Sequence, residues 1–522
     1  MRRPAAASAL ALALVLAVLT ACSKGGSSTG APSKKDVLRV GLEQPRTLDP
    51  MLATLPAELL IADQLFDALT SYDPATLEVQ PSIADEWKAT PDQRHWDFHI
   101  RQGAVFSNGR AITAFDAKYS LERAARAGSG SPIAVQLELV TGYRAFSTDP
   151  KVQSMAGLTT PSAEWLHIDL DQPFSSLPAV LAHPALAVVP REAVEAGSPA
   201  FGEQPVGSGP MMLASRDERV LHLRPAPGHS SRLRGVDFVL EGDIAASYTA
   251  FERGDLDWTA VPADRIDEAA ERYGRTGYKP YLVEVLYGLN LRSPKFADPR
   301  FREAIVRSID REAIASAVYG GAVRELRSLV PAGVPGAQPD PCGDGCRHDP
   351  DAARALVAQA FAGKPVPQVA IDYDDSTTQE AVAKAIQSNL TDVGIPAAIR
   401  PHPYSEFLRF ATSGQQELFH FGSSGGYPSP DAFLTPLFTT GVADNVTGFS
   451  NKAVDELLKS ARADDDVARR DALYQEAERQ ILGQFPVVPI AQYEVRTIVA
   501  KRVKGLVMSS LGTFDVTKVT LG

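Results

Sequence analysis

The sequence predicts an α/β protein, and three observations predict it. Apolar residues alternate with polar ones at a spacing of two in several early segments. Capped segments with helical apolar spacing interleave with short apolar runs through the second half. The 522-residue chain is also too long for one hydrophobic core and calls for two or three lobes.

The elements follow in order. Val37-Leu38-Arg39-Val40-Gly41 is a short apolar run ended by glycine and reads as a buried strand. Residues 57–70 read as a helix, with Ile61, Leu65 and Leu69 on one face. Trp96, Phe98 and Ile100 alternate with Asp97 and His99, the pattern of a strand with one wet face. Asn108-Gly109 marks a turn, because both residues tolerate positive φ. Thr113 caps a helix running through Phe115, Tyr119 and Leu121, with Asp116 near the free amides of its first turn. Leu166, Ile168 and Leu170 alternate again.

In the second half Asp298-Pro299 opens a helix as cap and first residue, with Phe301, Ile305, Ile309 and Ile314 as its buried face. Asp349-Pro350 repeats the device ahead of Leu356 and Val357. Residues 378–394 form a helix on Val382, Ile386, Leu390 and Val393, ended by a left-handed Gly394, and Ile395 resumes as strand. Helices around 454–458 and 472–481 follow, and short strands at 487–490 and 497–500 close the chain.

The amino terminus has the features of an export signal. Arg2 and Arg3 precede an apolar stretch over residues 5–19, too short and wrongly flanked to span a bilayer. Leu19-Thr20-Ala21-Cys22 fits the bacterial lipobox, in which the Cys22 thiol receives a diacylglyceryl group and residues 1–21 are removed. An ordinary cleaved signal with an incidental cysteine is the alternative. Residues 22–35, rich in Gly, Ser, Lys and Pro, read as a flexible tether. Cys342 and Cys346 remain as a pair in a turn-forming segment, and export into an oxidising compartment predicts a disulfide between them. A metal reading of that pair has only His348 and acidic side chains nearby to complete it. The net charge of −11 argues against a nucleic-acid partner.

Several segments occur in a fixed order across nearly the whole chain after Cys22. They are Gln44-Pro45-Arg46-Thr47-Leu48-Asp49-Pro50, Pro81-Ser82-Ile83-Ala84-Asp85-Glu86-Trp87, and Phe106-Ser107-Asn108-Gly109 with Ala114-Phe115-Asp116-Ala117. Pro205-Val206-Gly207-Ser208-Gly209-Pro210, Phe251-Glu252-Arg253-Gly254-Asp255-Leu256-Asp257, and Asn290 followed by residues 298–311 and Glu312 complete the set. Together they resemble the family 5 extracytoplasmic solute-binding proteins, the dipeptide, oligopeptide and nickel receptors of ATP-binding-cassette importers.

The resemblance implies a type II periplasmic-binding-protein-like fold, with two lobes about a hinge and an inserted third subdomain. By position, the first lobe takes residues 37–60, 191–288 and 496–522, the inserted subdomain 61–190, and the second lobe 289–495. Tyr287-Gly288-Leu289-Asn290 is then one hinge crossing and the stretch near Tyr493 the other. The implied partners are a small-molecule or peptide ligand, the permease and ATPase subunits of an importer, and a membrane reached through the lipid. The implied protein is an extracytoplasmic monomer on the outer face of the cell membrane, with no cofactor.

In peptide-binding members an aspartate four residues before a proline holds the ligand's amino group, just after an aromatic residue. Here the segment reads Gly422-Ser423-Ser424-Gly425-Gly426-Tyr427-Pro428-Ser429-Pro430-Asp431-Ala432-Phe433. Gly426 stands at the carboxylate's place and Ser424 at the aromatic's, while a shifted alignment puts Asp431 in the role. An ammonium desolvated without an anion costs several kcal/mol, so a neutral or differently charged ligand is expected. Glu43, Gln44, Tyr72, Gly207, Ser208, Gly209, Tyr287, Asn290, Tyr404, Ser424, Gly425, Gly426, Tyr427 and Asp431 are the candidate ligand residues.

Two rivals rest on particular residues. Gly422-x-Ser424-x-Gly426 spells a nucleophile elbow, but Pro428 and Pro430 deny the helix that must follow at once. His402 and His420, near the cleft segment, and His95 with His99 are the residues a nickel site would draw on. No metal site is assigned and no enzymatic activity is expected. A lipoprotein that presents a captured ligand to a sensor needs the same lobes as a transport receptor.

Overall fold

A computed structural model describes residues 36–197 and 200–522. The expected signal segment, Cys22 and the tether lie outside the described residues. Among the described residues no helix is long and apolar enough to cross a membrane.

One eleven-stranded sheet runs through the molecule. At one end Val37–Glu43 pairs in parallel with Gly235–Glu241, residue for residue from Val37↔Gly235 to Glu43↔Glu241. At the other end Val369–Asp374 lies parallel to both Ala397–His402 and Leu418–Ser424. Two long antiparallel strands, Tyr278–Leu289 and Val487–Val499, join these halves in the middle of the sheet. Separate from it, His95–Ile100 sits in a four-stranded sheet, with Trp96 opposite Ile168 and Phe98 opposite Leu166, all buried.

Each region has its own core. Leu38, Val40, Ile61, Leu65, Phe238 and Phe514 pack together at the first end of the large sheet. Phe98, Phe106, Leu121, Leu166 and Ile168 fill the smaller sheet's core. Phe301, Ile305, Ile386, Leu418, Tyr474 and Ile490 form the third. The fold is thus the two-lobed type II architecture with a further subdomain. Ile61 and Leu65 belong to the first core and Leu69 to the second.

Local structure departs from the expectations at several points, each for a physical reason. The helix expected over 57–70 is Pro56–Leu65, and Phe66 is already extended at φ −137°. The backbone N–H of Gly209 takes the carbonyl of Leu65 at 3.0 Å, so the glycine loop docks where another turn would run. In the helix Ala114–Ala125, Thr113 and Asp116 form a reciprocal capping box, but Phe115 faces solvent. The helix expected after Pro299 is two helices, Pro299–Ser308 and Arg311–Ala317, because Asp310 restarts it with a side-chain cap on Ala313 N. Gly394 is left-handed as expected, at φ +83°. The strands expected at 487–490 and 497–500 are the single strand Val487–Val499.

Buried polar groups pin the corners. Glu58 accepts from Arg46 N, Arg46 Nε, Thr54 N and Leu55 N at 2.9–3.0 Å, tying the 44–50 segment to the helix start. These partners outweigh burial and hold its carboxyl at about 2. Arg311, fully buried, donates to the carbonyls of Pro489, Ile309, Cys346 and Val306 at 2.6–3.2 Å. One guanidinium thereby joins a central strand, a helix corner and the loop closed by the Cys342–Cys346 disulfide. Burial lowers its pKa to about 10.

The pairing of the two central strands is interrupted between Pro280 and Glu284. Gln492 repairs the gap, donating to Tyr281 O at 3.0 Å and Ala332 O at 2.9 Å and accepting from Ala332 N at 3.1 Å. Directly across from Gln492 stands Glu284, 1% exposed, with neither carboxyl oxygen hydrogen-bonded. Burial, with Glu478 nearby, pushes its carboxyl well above the usual range. Glu284 therefore keeps its proton to higher pH when folded than when unfolded, so its contribution is fully present below the ordinary carboxylate range and is lost as pH rises above it. Relative to the wild type, Glu284→Gln should gain melting temperature as pH rises above about 5. Parallel melting profiles would show that Glu284 does not titrate on unfolding.

Candidate ligand cleft

The break in strand pairing opens onto a cavity of ≈ 610 Å³. Its walls come from every region: Asp63, Asp67 and Asp515 from one side, Tyr72, Arg101 and Gln136 from the small subdomain, and residues 424–427 from the other side. Tyr281, Leu282 and Val283 pass through it. A second cavity of ≈ 410 Å³, mostly apolar, also reaches Tyr281 and is lined by Glu43, Leu42, Trp258, Val261 and Tyr493. The two flank the same strand crossing.

Of the fourteen candidate ligand residues, Tyr72, Ser424, Gly425, Gly426 and Tyr427 line the larger cavity and Glu43 the smaller. Gln44 lines neither. Gly207, Ser208 and Gly209 line neither cavity and pack against the end of the helix Pro56–Leu65. A Cβ on Gly207 would stand 1.9 Å from Leu65 O, and one on Gly209 2.5 Å from Phe66 N. The Ser208 hydroxyl accepts from Asp67 N and donates to Val188 O, both at 2.9 Å. Tyr287 is 0% exposed, beside the His420 ring, and both Tyr287 and Leu289 lie inside the third core. Asn290 spends its amide on Gly414 O and Gln416 O, at 3.0 and 2.9 Å. Tyr404, 77% exposed, lies on an outer helix away from both cavities.

Asp431 is not free to hold an amino group. It is fully buried and accepts from Tyr427 Oη, Thr435 Oγ1, Tyr474 Oη and Arg462 Nε at 2.6–2.9 Å. Burial pushes its carboxyl up, but Arg462 and these hydroxyls hold it below the ordinary range. The pair also ties two regions together. Arg462 lies over the Phe174 ring at 5.1 Å, its carbonyl takes Ser175 N at 2.9 Å, and Phe174 meets Tyr427 edge-on.

Glycines 425 and 426 shape the cleft floor. A Cβ at 425 would strike the Phe433 ring at 2.3 Å, and one at 426 would strike Gln136 Nε2 at 2.3 Å. The carboxamide of Gln136 thus fills the space a side chain at 426 would need. Sequence reasoning missed Gln136, Asp63, Asp67, Arg101 and Asp515; only the four-residue spacing of Asp63 and Asp67, off the apolar face of a predicted helix, was a usable signal.

Residues 425–429 separate the Leu418–Ser424 strand from the Pro430–Phe438 helix, so Ser424 sits on no strand-to-helix elbow. All nine histidines have partners. His95, His99, His167, His222, His402 and His420 bind aspartates, His348 lies 3.4 Å from Asp310, His183 accepts from Ala185 N, and His229 meets Ser208 O. Cys342 and Cys346 are disulfide-bonded rather than metal ligands.

The model of bacterial extracellular solute-binding proteins, family 5 Middle, matches residues 78–445. The chain belongs to that family. Among family 5 relatives, the probable D,D-dipeptide-binding periplasmic protein DdpA of Escherichia coli (strain K12) is 25% identical over 497 residues, covering 91% of this chain and 92% of its own. The periplasmic murein peptide-binding protein MppA of the same organism is 25% identical over 496 residues, covering 92% and 91%. The probable deoxycholate-binding periplasmic protein YgiS, also of that strain, is 27% identical over 466 residues, covering 85% and 86%. The unliganded open form of MppA matches with a TM-score of 0.84 at 24% identity, over 94% of this chain and 98% of its own. A second MppA structure gives 0.70.

Removing one member of a buried ion pair strands the other. Asp431→Ala should therefore cost about 3–5 kcal/mol in denaturant unfolding, whereas a loss under about 1 kcal/mol would mean the pair is solvated.

Proposed function

We propose that this family 5 protein is the lipid-anchored receptor of an ATP-binding-cassette importer. It captures a peptide-like or other small polar solute by closing its lobes and hands it to a membrane permease. The observation that carries this reading is the ≈ 610 Å³ cleft, walled by all three regions and reached by the central strand Tyr278–Leu289. A solute touching opposite walls gains contacts that only a closed form offers, so binding shifts an open–closed equilibrium. Moving it from mostly open to mostly closed takes about 5.5 kcal/mol of differential affinity. Lipid on Cys22 and the tether over residues 22–35 would hold the receptor at the outer membrane face.

Ligand choice departs from amino-terminal anchoring at the 424–427 segment. Gly426 offers no carboxylate, Gln136 fills its place with a neutral amide, and Asp431 is spent on Arg462. That one relative is named for deoxycholate rather than a peptide supports a family cleft that admits varied ligands.

Mass spectrometry of material co-purifying with the mature protein should yield a small solute. Adding that solute should shrink the radius of gyration in small-angle scattering, and an unchanged radius would count against closure. Metabolic labelling with a fatty acid should mark the wild type but not Cys22→Ser. The double change Gly426→Asp with Gln136→Ala should create an amino anchor. It should raise affinity for free trialanine about tenfold, the effect of one charged hydrogen bond, while N-acetylated trialanine gains nothing.

A further inference from the structure

The first-lobe wall of the cleft is built from acceptors. Asp63, near the end of the helix Pro56–Leu65, and Asp67, just beyond it, both line the cavity and are half-buried. Among the described residues, Asp63 has one hydrogen bond, from Gln64 Nε2 at 2.8 Å. The Asp67 carboxylate has none, and His229 Nε2 stands 4.0 Å from it. Asp515 lines the same wall, but it is engaged by Thr517 N at 2.9 Å and lies 3.5 Å from Lys518 Nζ.

An acidic group alone does not mark a site, but Gln64 adds an independent sign. Its side chain stands on the cavity wall with 1% of the residue exposed. Its Nε2 is fixed by Asp63 and by Phe514 O at 2.9 Å, which sets the orientation of the amide. Its Oε1 has no donor at all. A buried acceptor left unsatisfied is costly, and native proteins rarely keep one without a use. Two underpaired carboxylates and an orphaned carbonyl on one wall ask for a donor that also carries positive charge.

We infer that the ligand carries a cationic nitrogen group, an ammonium or a guanidinium, seated on Asp63, Asp67 and Gln64 of the first lobe. This rests on the receptor reading above. An organic cation fits better than a metal ion, because among the described residues no three His, Cys, Asp or Glu side chains stand close enough to hold one. Cation recognition has thus moved across the cleft, away from the neutral Gly426–Gln136 side.

The free site is poised to exchange protons. Burial pushes Asp63 up to about 8, with Asp67 and Asp515 adding to it. Burial also pushes Asp67 up to about 7, against the pull of Arg101. The other ionisable groups lining the cavity are His183, His229, Arg101, Asp515, Lys518 and the phenols of Tyr72, Tyr281 and Tyr427. Burial lowers His183 to about 4 and lowers His229 as well, so both are neutral across the range in which the aspartates titrate. A bound cation favours the ionised carboxylates, so binding releases protons and tightens as pH rises through neutrality.

Calorimetry on the mature protein with trilysine, trialanine and triglutamate, each acetylated at its amino terminus so that lysine side chains are the only cationic nitrogens, tests this. Trilysine should bind about tenfold or more tightly than trialanine, triglutamate least, and the trilysine heat should change between phosphate and Tris buffers as protons are released. Asp63→Asn with Asp67→Asn should abolish that preference and the proton release without lowering the melting temperature, since it removes like-charge repulsion. Asp67→Asn alone, whose side chain holds no hydrogen bond, gives the same readout if the double variant is unstable. A preference for triglutamate or trialanine, or a trilysine preference that survives the substitutions, overturns the inference. Scattering separates the two readings. Closure on any tripeptide without regard to charge keeps the receptor and removes the subsite, and closure on none of them removes this ligand class while co-purification decides the receptor.

Discussion

The whole arrangement depends on how few covalent and hydrogen-bonded paths join the ends of the large sheet. Tyr278–Leu289 and Val487–Val499 carry both, and their pairing lapses between Pro280 and Glu284. Backbone groups buried away from water need partners, so a lapse in a ladder must be repaired locally. Gln492 does this with one carboxamide, serving Tyr281 and Ala332 together. The repair leaves a short length of strand held by a side chain rather than by a register. Both cavities open beside it.

Around this crossing, polar burial is concentrated at junctions. Arg311 satisfies carbonyls from three structural units without a carboxylate partner, while Arg462 and Asp431 neutralise each other beneath the cleft floor. The first spends donors on backbone and fixes a corner. The second joins the small subdomain, through Phe174 and Ser175, to the segment that ends in Tyr427. The floor and one side wall of the cavity therefore share a single buried support.

Much of the architecture could be read from residue order. Period-two alternation identified the small sheet, because Trp96, Phe98 and Ile100 bury one face against Leu166 and Ile168. Asp-Pro pairs announced helix starts, since a side-chain cap and a residue without an amide suit the first turn. What could not be read was whatever depends on distant chain segments. The helix ending at Leu65 stops because residues 207–209 dock there, over a hundred positions later. The glycine loop looked like a ligand cradle, yet its missing side chains make room for backbone. Tyr287 and Asn290 looked like cleft polar groups, but Tyr287 is buried in the third core and Asn290 on the carbonyls of Gly414 and Gln416. Asp431 lines neither cavity, and its engagement by Arg462, thirty-one positions away, cannot be read from residue order.

The two glycines of the cleft floor carry a consequence for how such a receptor can diversify. A side chain at 425 meets the buried Phe433 ring, whereas one at 426 meets the end of the flexible Gln136 side chain, which can swing aside. Position 425 is thus closed unless Phe433 shrinks with it, and 426 is the place on this floor where a single substitution can introduce a new side chain to the ligand.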